Sequence, residues 1–133
     1  MMMDLARTQQ GPRRILVVDD DADVRNGLTR ALALRGGYQV SAAADAFEAG
    51  YHFARQRPDL VILDLVMPGM GGLEVCERMR RLAGVERLKI VVLTGYSGSG
   101  NSERSLLSGA DLFLTKPQDV DTLITHIGDL LGD

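Results

Sequence analysis

Three consecutive aspartates, Asp19, Asp20 and Asp21, follow directly on the apolar run Ile15–Val18 in the stretch RRILVVDDDADVR. Like charges side by side repel one another. They either stand in water and cap a helix, or a cation holds them. Further along, Asp64 lies inside the apolar LVILDL, Thr94 ends LKIVVLT and Lys116 follows DLFLT. A buried carboxylate is costly unless paired or metal-bound. Asp19, Asp20 and Asp64 supply hard oxygen ligands of the kind Mg²⁺ prefers, with waters completing the octahedron. A dianionic phosphoryl group needs neutralising from several sides. Mg²⁺, the Lys116 ammonium, the Thr94 hydroxyl and loop amides meet that need. A carboxylate can also act as a nucleophile toward phosphorus, which leaves a phosphoaspartate.

The elements that must bring these residues together are readable from periodicity. Ile15–Val18, Tyr38–Ala43, Asp59–Leu65, Leu88–Thr94 and Asp111–Thr115 are short apolar runs and predict five strands. Val24, Leu28, Ala31 and Leu32 recur at helical spacing within 22–35, and Gly36-Gly37 ends that segment. Asp45 is placed to cap a second helix, with Glu48 as its capping-box partner, and Pro58 ends it. Leu73, Cys76, Met79 and Leu82 mark a third helix after the loop VMPGMGG, and 102–108 a short fourth. Val120, Leu123, Ile124, Ile127, Leu130 and Leu131 mark an amphipathic fifth. Strands alternating with helices predict an α/β fold, a doubly wound parallel sheet of five strands with five helices on its two faces. In such sheets ligands bind outside the carboxyl ends of the strands. Asp19, Asp20, Asp64, Thr94 and Lys116 all fall there.

Composition narrows the function classes. The 133 residues suit one domain, with residues 1–12 read as a disordered N-terminal tail and 13–133 as the folded unit. A formal net charge of -3 offers no broad footprint for nucleic acid, and no apolar run approaches the ~20 residues of a membrane span. The single cysteine, Cys76, excludes an internal disulfide and any cysteine-rich metal site. A cytoplasmic protein fits these features.

Four pieces in order, ILVVDDD, DLVILDLVMPGMGGLE, VVLTGY and GADLFLTKP, resemble the receiver domain of the two-component response regulators. The resemblance covers about residues 13–131. It implies the flavodoxin-like strand order 2-1-3-4-5. It implies that Asp64 is the phosphoacceptor, and that Asp19, Asp20, Asp64 and the backbone carbonyl of Val66 hold Mg²⁺. Asp20 would be the more direct ligand of the acidic pair. It assigns Thr94 and Phe113 as the switch pair, Lys116 as the phosphoryl partner, and a cis bond before Pro117. Thr94 would move toward the phosphoryl group and Phe113 turn inward. The face formed by the fourth helix, fifth strand and fifth helix would then change shape for a partner. The implied partners are a sensor histidine kinase or phosphotransfer protein and an output domain or partner protein. The same face offers a route to homodimers, although the stripe on the fifth helix is accounted for by its own core. No helix-turn-helix or enzymatic segment is read after that helix, so the receiver either stands alone or is cut from a longer chain. On this reading the protein is no enzyme beyond its own phosphorylation and dephosphorylation. Val66 and Tyr96 would flank the route of an attacking water, and a bulky Tyr96 is expected to slow hydrolysis.

Blander readings compete. Asp21 is better read as a helix cap than as a ligand. Phe113 is an ordinary core aromatic apart from the resemblance. Cys76 reads as inert packing, and neither His52 nor His126 as a catalytic base. The arginines of CERMRRLAGVER read as a solvated face, with a docking patch as the lesser alternative. A phosphorylation-independent binding module is the main alternative function, but the complete acidic, Thr and Lys set argues against it. An aspartate-nucleophile phosphatase is a further one. DDD contains its D-x-D spacing, but no cap domain or substrate pocket is evident in the short chain.

Overall fold

In a computed structural model, residues 11–84, 87–95, 98 and 100–133 are described. Nearly all of the expected tail, and Tyr96, lie outside them. The strands are β1 (Arg14–Val18), β2 (Gln39–Ala43), β3 (Leu60–Leu63), β4 (Lys89–Thr94) and β5 (Leu112–Thr115). The helices between and after them are α1 (Ala22–Gly36), α2 (Ala46–Gln56), α3 (Gly72–Ala83), α4 (Asn101–Leu107) and α5 (Val120–Leu131). All neighbouring strands pair in parallel in the order β2-β1-β3-β4-β5. The expected α/β architecture and strand order are thus observed.

The three inner strands are buried on both sides, which is why they carry continuous rather than alternating apolar runs. On one face Ile15, Val17, Ile62 and Leu93 pack with Leu32 of α1 and with Leu123 and Ile127 of α5. On the other, Leu16, Val61, Leu63 and Val92 pack with Ala49 of α2 and with Val75, Cys76 and Met79 of α3. The Cys76 thiol also reaches the Ser108 carbonyl just after α4, at 3.5 Å.

Helix ends follow the sequence signals closely. Asp21 caps α1, accepting from the amides of Asp23 and Val24 at 3.0 and 3.3 Å. Gly37 closes it with left-handed backbone at φ 71°. Asp45 accepts from the Glu48 amide, while the Glu48 carboxylate takes the amide of Ala44, one residue before the usual capping-box donor. The bond before Pro117 is cis.

Three expectations need correction. The third strand ends at Leu63 rather than Leu65, because the Asp64 carboxylate accepts from the Val66 amide and turns the chain. Leu82 does not join the core stripe of α3. Seven residues after Val75 it stands within about 20° of it around the helix, but it lies in the last turn on an open groove and is 76% exposed. Gly72, Val75, Cys76 and Met79 are the buried positions instead. Finally, Arg80 is not part of a solvated face. Its guanidinium donates to the carbonyls of Gly109, Gly84 and Leu88 and pairs with Asp111 at 2.6 Å. It ties α3 to the start of β4 and β5, whereas Arg78 and Arg81 are exposed.

Candidate functional site

The carboxyl edge of the sheet is where the backbone ladder delivers the acids. The Asp19 amide donates to Ala43 O at 3.1 Å and the Asp64 amide to Val18 O at 3.0 Å. Each residue therefore stands one position beyond its strand while still held by the sheet. Asp19 and Asp64 are 3% and 6% exposed, and Asp20 is exposed. Carboxylate oxygens of all three lie within 4.8 Å of one another.

Lys116 bridges the two buried acids. Its Nζ lies 2.6 Å from Asp19 Oδ2 and 2.9 Å from Asp64 Oδ2. Its backbone amide donates to Thr94 O at 2.8 Å, so β4 positions the lysine that follows β5. Burial pushes the Lys116 pKa down, but the hydrogen bonds to Asp19 and Asp64 more than reverse this, and the net shift is upward. Each carboxylate also keeps an amide donor, that of Asp21 for Asp19 at 2.9 Å and that of Val66 for Asp64 at 3.1 Å.

Asp20, Asp64, Val66, Thr94 and Lys116 share an open cavity of about 280 Å³. The Val66 side chain is exposed at its mouth and Thr94 is fully buried at its end of β4. Phe113 is half-buried on β5, opposite Val92 in the ladder and packed against the core face that carries α2 and α3. The structure thus brings Asp19, Asp20, Asp64, Val66, Thr94 and Lys116 to one place, with Phe113 two residues before the Thr115 that pairs with Thr94. His52 and His126 are on α2 and α5, away from this cavity's lining.

Two contributors carried no readable signal. Arg25, on the first turns of α1, donates to the Asp19 carbonyl at 2.8 Å and pins the loop. Gly72 lets α3 approach the acid. A Cβ there would sit 2.3 Å from Asp64 O and 2.6 Å from Leu65 Cα. The glycine pair of the loop was visible in sequence, but not what it packs against.

Comparison with known proteins bears on the family and the fold. A family model described as the response regulator receiver domain matches residues 15–128. A protein named response regulator MprA from Mycobacterium sp. (strain KMS) is 42% identical over 120 residues, covering 90% of this chain and 51% of that protein. The same-named protein of Mycobacterium leprae (strain TN) is 42% identical over 118 residues, covering 89% and 50%. This chain spans about half the length of the curated relatives it matches. A CheY-like receiver domain protein from Methanospirillum hungatei JF-1 superposes with a TM-score of 0.86 at 32% identity, over 92% of this chain and 95% of that one. A LuxR-family two-component response regulator from Aurantimonas sp. SI85-9A1 gives 0.81 at 36% identity, over 92% and 86%. No helix among the described residues is long and apolar enough to cross a membrane. With the family model matched from β1 into α5, the chain belongs to the response regulator receiver domains of two-component systems.

Proposed function

We propose that the chain is a phosphoacceptor receiver, in which Asp64 takes a phosphoryl group from a histidine kinase or phosphotransfer protein. The observation that carries this reading is the Lys116 ammonium bridging Asp19 and Asp64, with Asp20 beside them and Thr94 on the same cavity. In the transfer, an Asp64 oxygen forms a bond to phosphorus and the donor's P–N bond breaks. Its electron pair leaves with the imidazole nitrogen. Lys116 pairs with a phosphoryl oxygen, and the Thr94 hydroxyl donates to another.

The donor set fits Mg²⁺. It consists of hard oxygens only, two of them on buried carboxylates that a lone lysine serves jointly. Asp19, Asp20, Asp64 and the Val66 carbonyl would hold the ion, which when bound supplies charge neutralisation to the transferring phosphoryl group. Arg25 and the Asp21 amide keep the Asp19 loop in shape for it. Thr94 and Phe113 form the switch that alters the α4–β5–α5 face. That face acts on an output domain or partner protein in the cytoplasm.

The test is intact mass after incubation with acetyl phosphate, with and without Mg²⁺, on wild type and Asp64→Asn. The expected result is a Mg²⁺-dependent gain of one phosphoryl group that the variant lacks. No adduct under rapid quenching would overturn the proposal in favour of a phosphorylation-independent binding module.

A further inference from the structure

An apolar groove runs between α2 and α3, separate from the acidic cavity. Its larger part encloses about 440 Å³. A smaller, half-polar part of about 230 Å³ adjoins it along the shared wall of Phe53, Ala54 and Leu82 toward the turn at Pro58. Phe47 from α2 and Leu82 from α3 border it, 87% and 76% exposed. One exposed apolar residue needs no explanation, but two large ones on one apolar groove form a patch of the kind that binds.

Two features set this groove apart from loose packing. The first is Gly50, in the middle of α2 and on the groove wall. Glycine inside a helix is destabilising relative to alanine. An added Cβ at Gly50 would meet nothing within 4 Å, so packing does not demand the glycine. Its lack of a side chain keeps the groove open. The second is charge. Among the described residues, the charged ones that line the groove are all arginines, Arg78 in the larger part and Arg57 and Arg87 in the smaller. Arg78 pairs with Glu74 of its own helix at 3.2 Å. Arg57 and Arg87 have no ion-pair partner among the described residues. Arg57 also holds left-handed backbone, φ 47°, where glycine is the usual helix end. The chain as a whole carries -3, so this is a local reversal of sign.

We propose that the α2–α3 groove docks an amphipathic helix of a partner protein, with its apolar face inward and acidic side chains along its flank. The walls are helices and offer no strand edge, so an extended peptide would find no main-chain partner there, whereas a helix needs only the apolar trough. The 11 residues of α2 give a trough about 16 Å long, three turns of a docked helix. The arginines select acidic flanks by complementarity. The inference does not rest on the phosphoryl chemistry, and the partner differs from one read by the α4–β5–α5 face.

The test titrates the full chain into two fluorescein-labelled amphipathic peptides that share one leucine stripe, with glutamate or lysine on the polar face. Anisotropy at low salt is expected to show the glutamate peptide binding about tenfold tighter. Gly50→Leu is expected to abolish binding, with a melting temperature equal to or above wild type. Arg57→Glu with Arg87→Glu leaves the trough intact and is expected to remove the preference for glutamate. Absence of saturable binding, equal binding of both peptides, or binding unchanged in all of these variants overturns the proposal. So does binding of phosphatidylserine vesicles in place of the peptide. Sedimentation of the chain alone covers the remaining occupant, because a dimer that Gly50→Leu dissociates would make a second copy the ligand and overturn the partner helix.

Discussion

Replacing Lys116 with methionine removes the ammonium and keeps most of the apolar stem. The Asp19 and Asp64 side chains, 4% and 8% exposed, then lose their shared counter-charge at 2.6 and 2.9 Å. Removing one partner of a buried pair typically costs about 3–5 kcal/mol, because the remaining charge is uncompensated. Two features hold the cost down here. The lysine side chain is itself 21% exposed, and each carboxylate keeps its amide donor. The lower end, about 3 kcal/mol, is therefore expected, or a melting temperature about 10 °C lower at this chain length. The assay is urea unfolding of wild type and Lys116→Met in EDTA, repeated in millimolar Mg²⁺. On the proposed function the metal would bind the folded state and replace the lost positive charge, so Mg²⁺ is expected to recover more than half of the deficit. The pH dependence has a definite sign. The folded pKa of Lys116 is raised, so its contribution is fully present below the unfolded lysine value of about 10.4 and is lost as pH rises through the folded pKa. The gap between wild type and variant is expected to be level from about pH 6 to 9 and to close above about 10.5. A variant as stable as wild type in EDTA would refute the idea that the ammonium offsets the acid cluster.

Other perturbations address the supports of the site. Gly72→Ala forces a Cβ into the Asp64 carbonyl, so a loss of about 1–3 kcal/mol in urea unfolding is expected, together with slower acetyl phosphate labelling. Arg80→Ala removes the tie between α3 and the amino edge of β4 and β5. It is expected to cost about 3 kcal/mol, whereas Arg78→Ala and Arg81→Ala stay within about 0.5 kcal/mol by the same unfolding measurement. Burial pushes the Cys76 thiol up to about 11, so iodoacetamide at pH ~8 is expected to label it only after unfolding, as read by mass.

Some of this protein is legible in one dimension. The inner strands announce themselves because burial on both faces demands uninterrupted Ile, Val and Leu. Asp64 stands out because a charge inside such a run must have a compensating partner. The helix caps are legible because Asp21 and Asp45 act on amides two and three residues away. What fails is whatever depends on the angle at which an element sits or on reach across the sheet. Leu82 shares a side of its helix with the buried Val75 yet is 76% exposed, because the neighbouring helix does not cover it. Arg80 looked like solvent, since its partners Gly109 and Asp111 lie about thirty residues onward.

The sequence by itself determined the class of fold, the carboxyl ends of four of the five strands and the residue types that gather there. Those follow from local periodicity and from the rule that parallel strands point their carboxyl ends the same way. Only the tertiary structure decided that one lysine answers two aspartates, that Gly72 lets α3 approach Asp64, that Arg25 pins the Asp19 loop, and that α2 and α3 leave a trough between them. Each of these is a distance between residues far apart in the chain. Such distances are set by how helices settle on the sheet, which no local pattern of residues encodes.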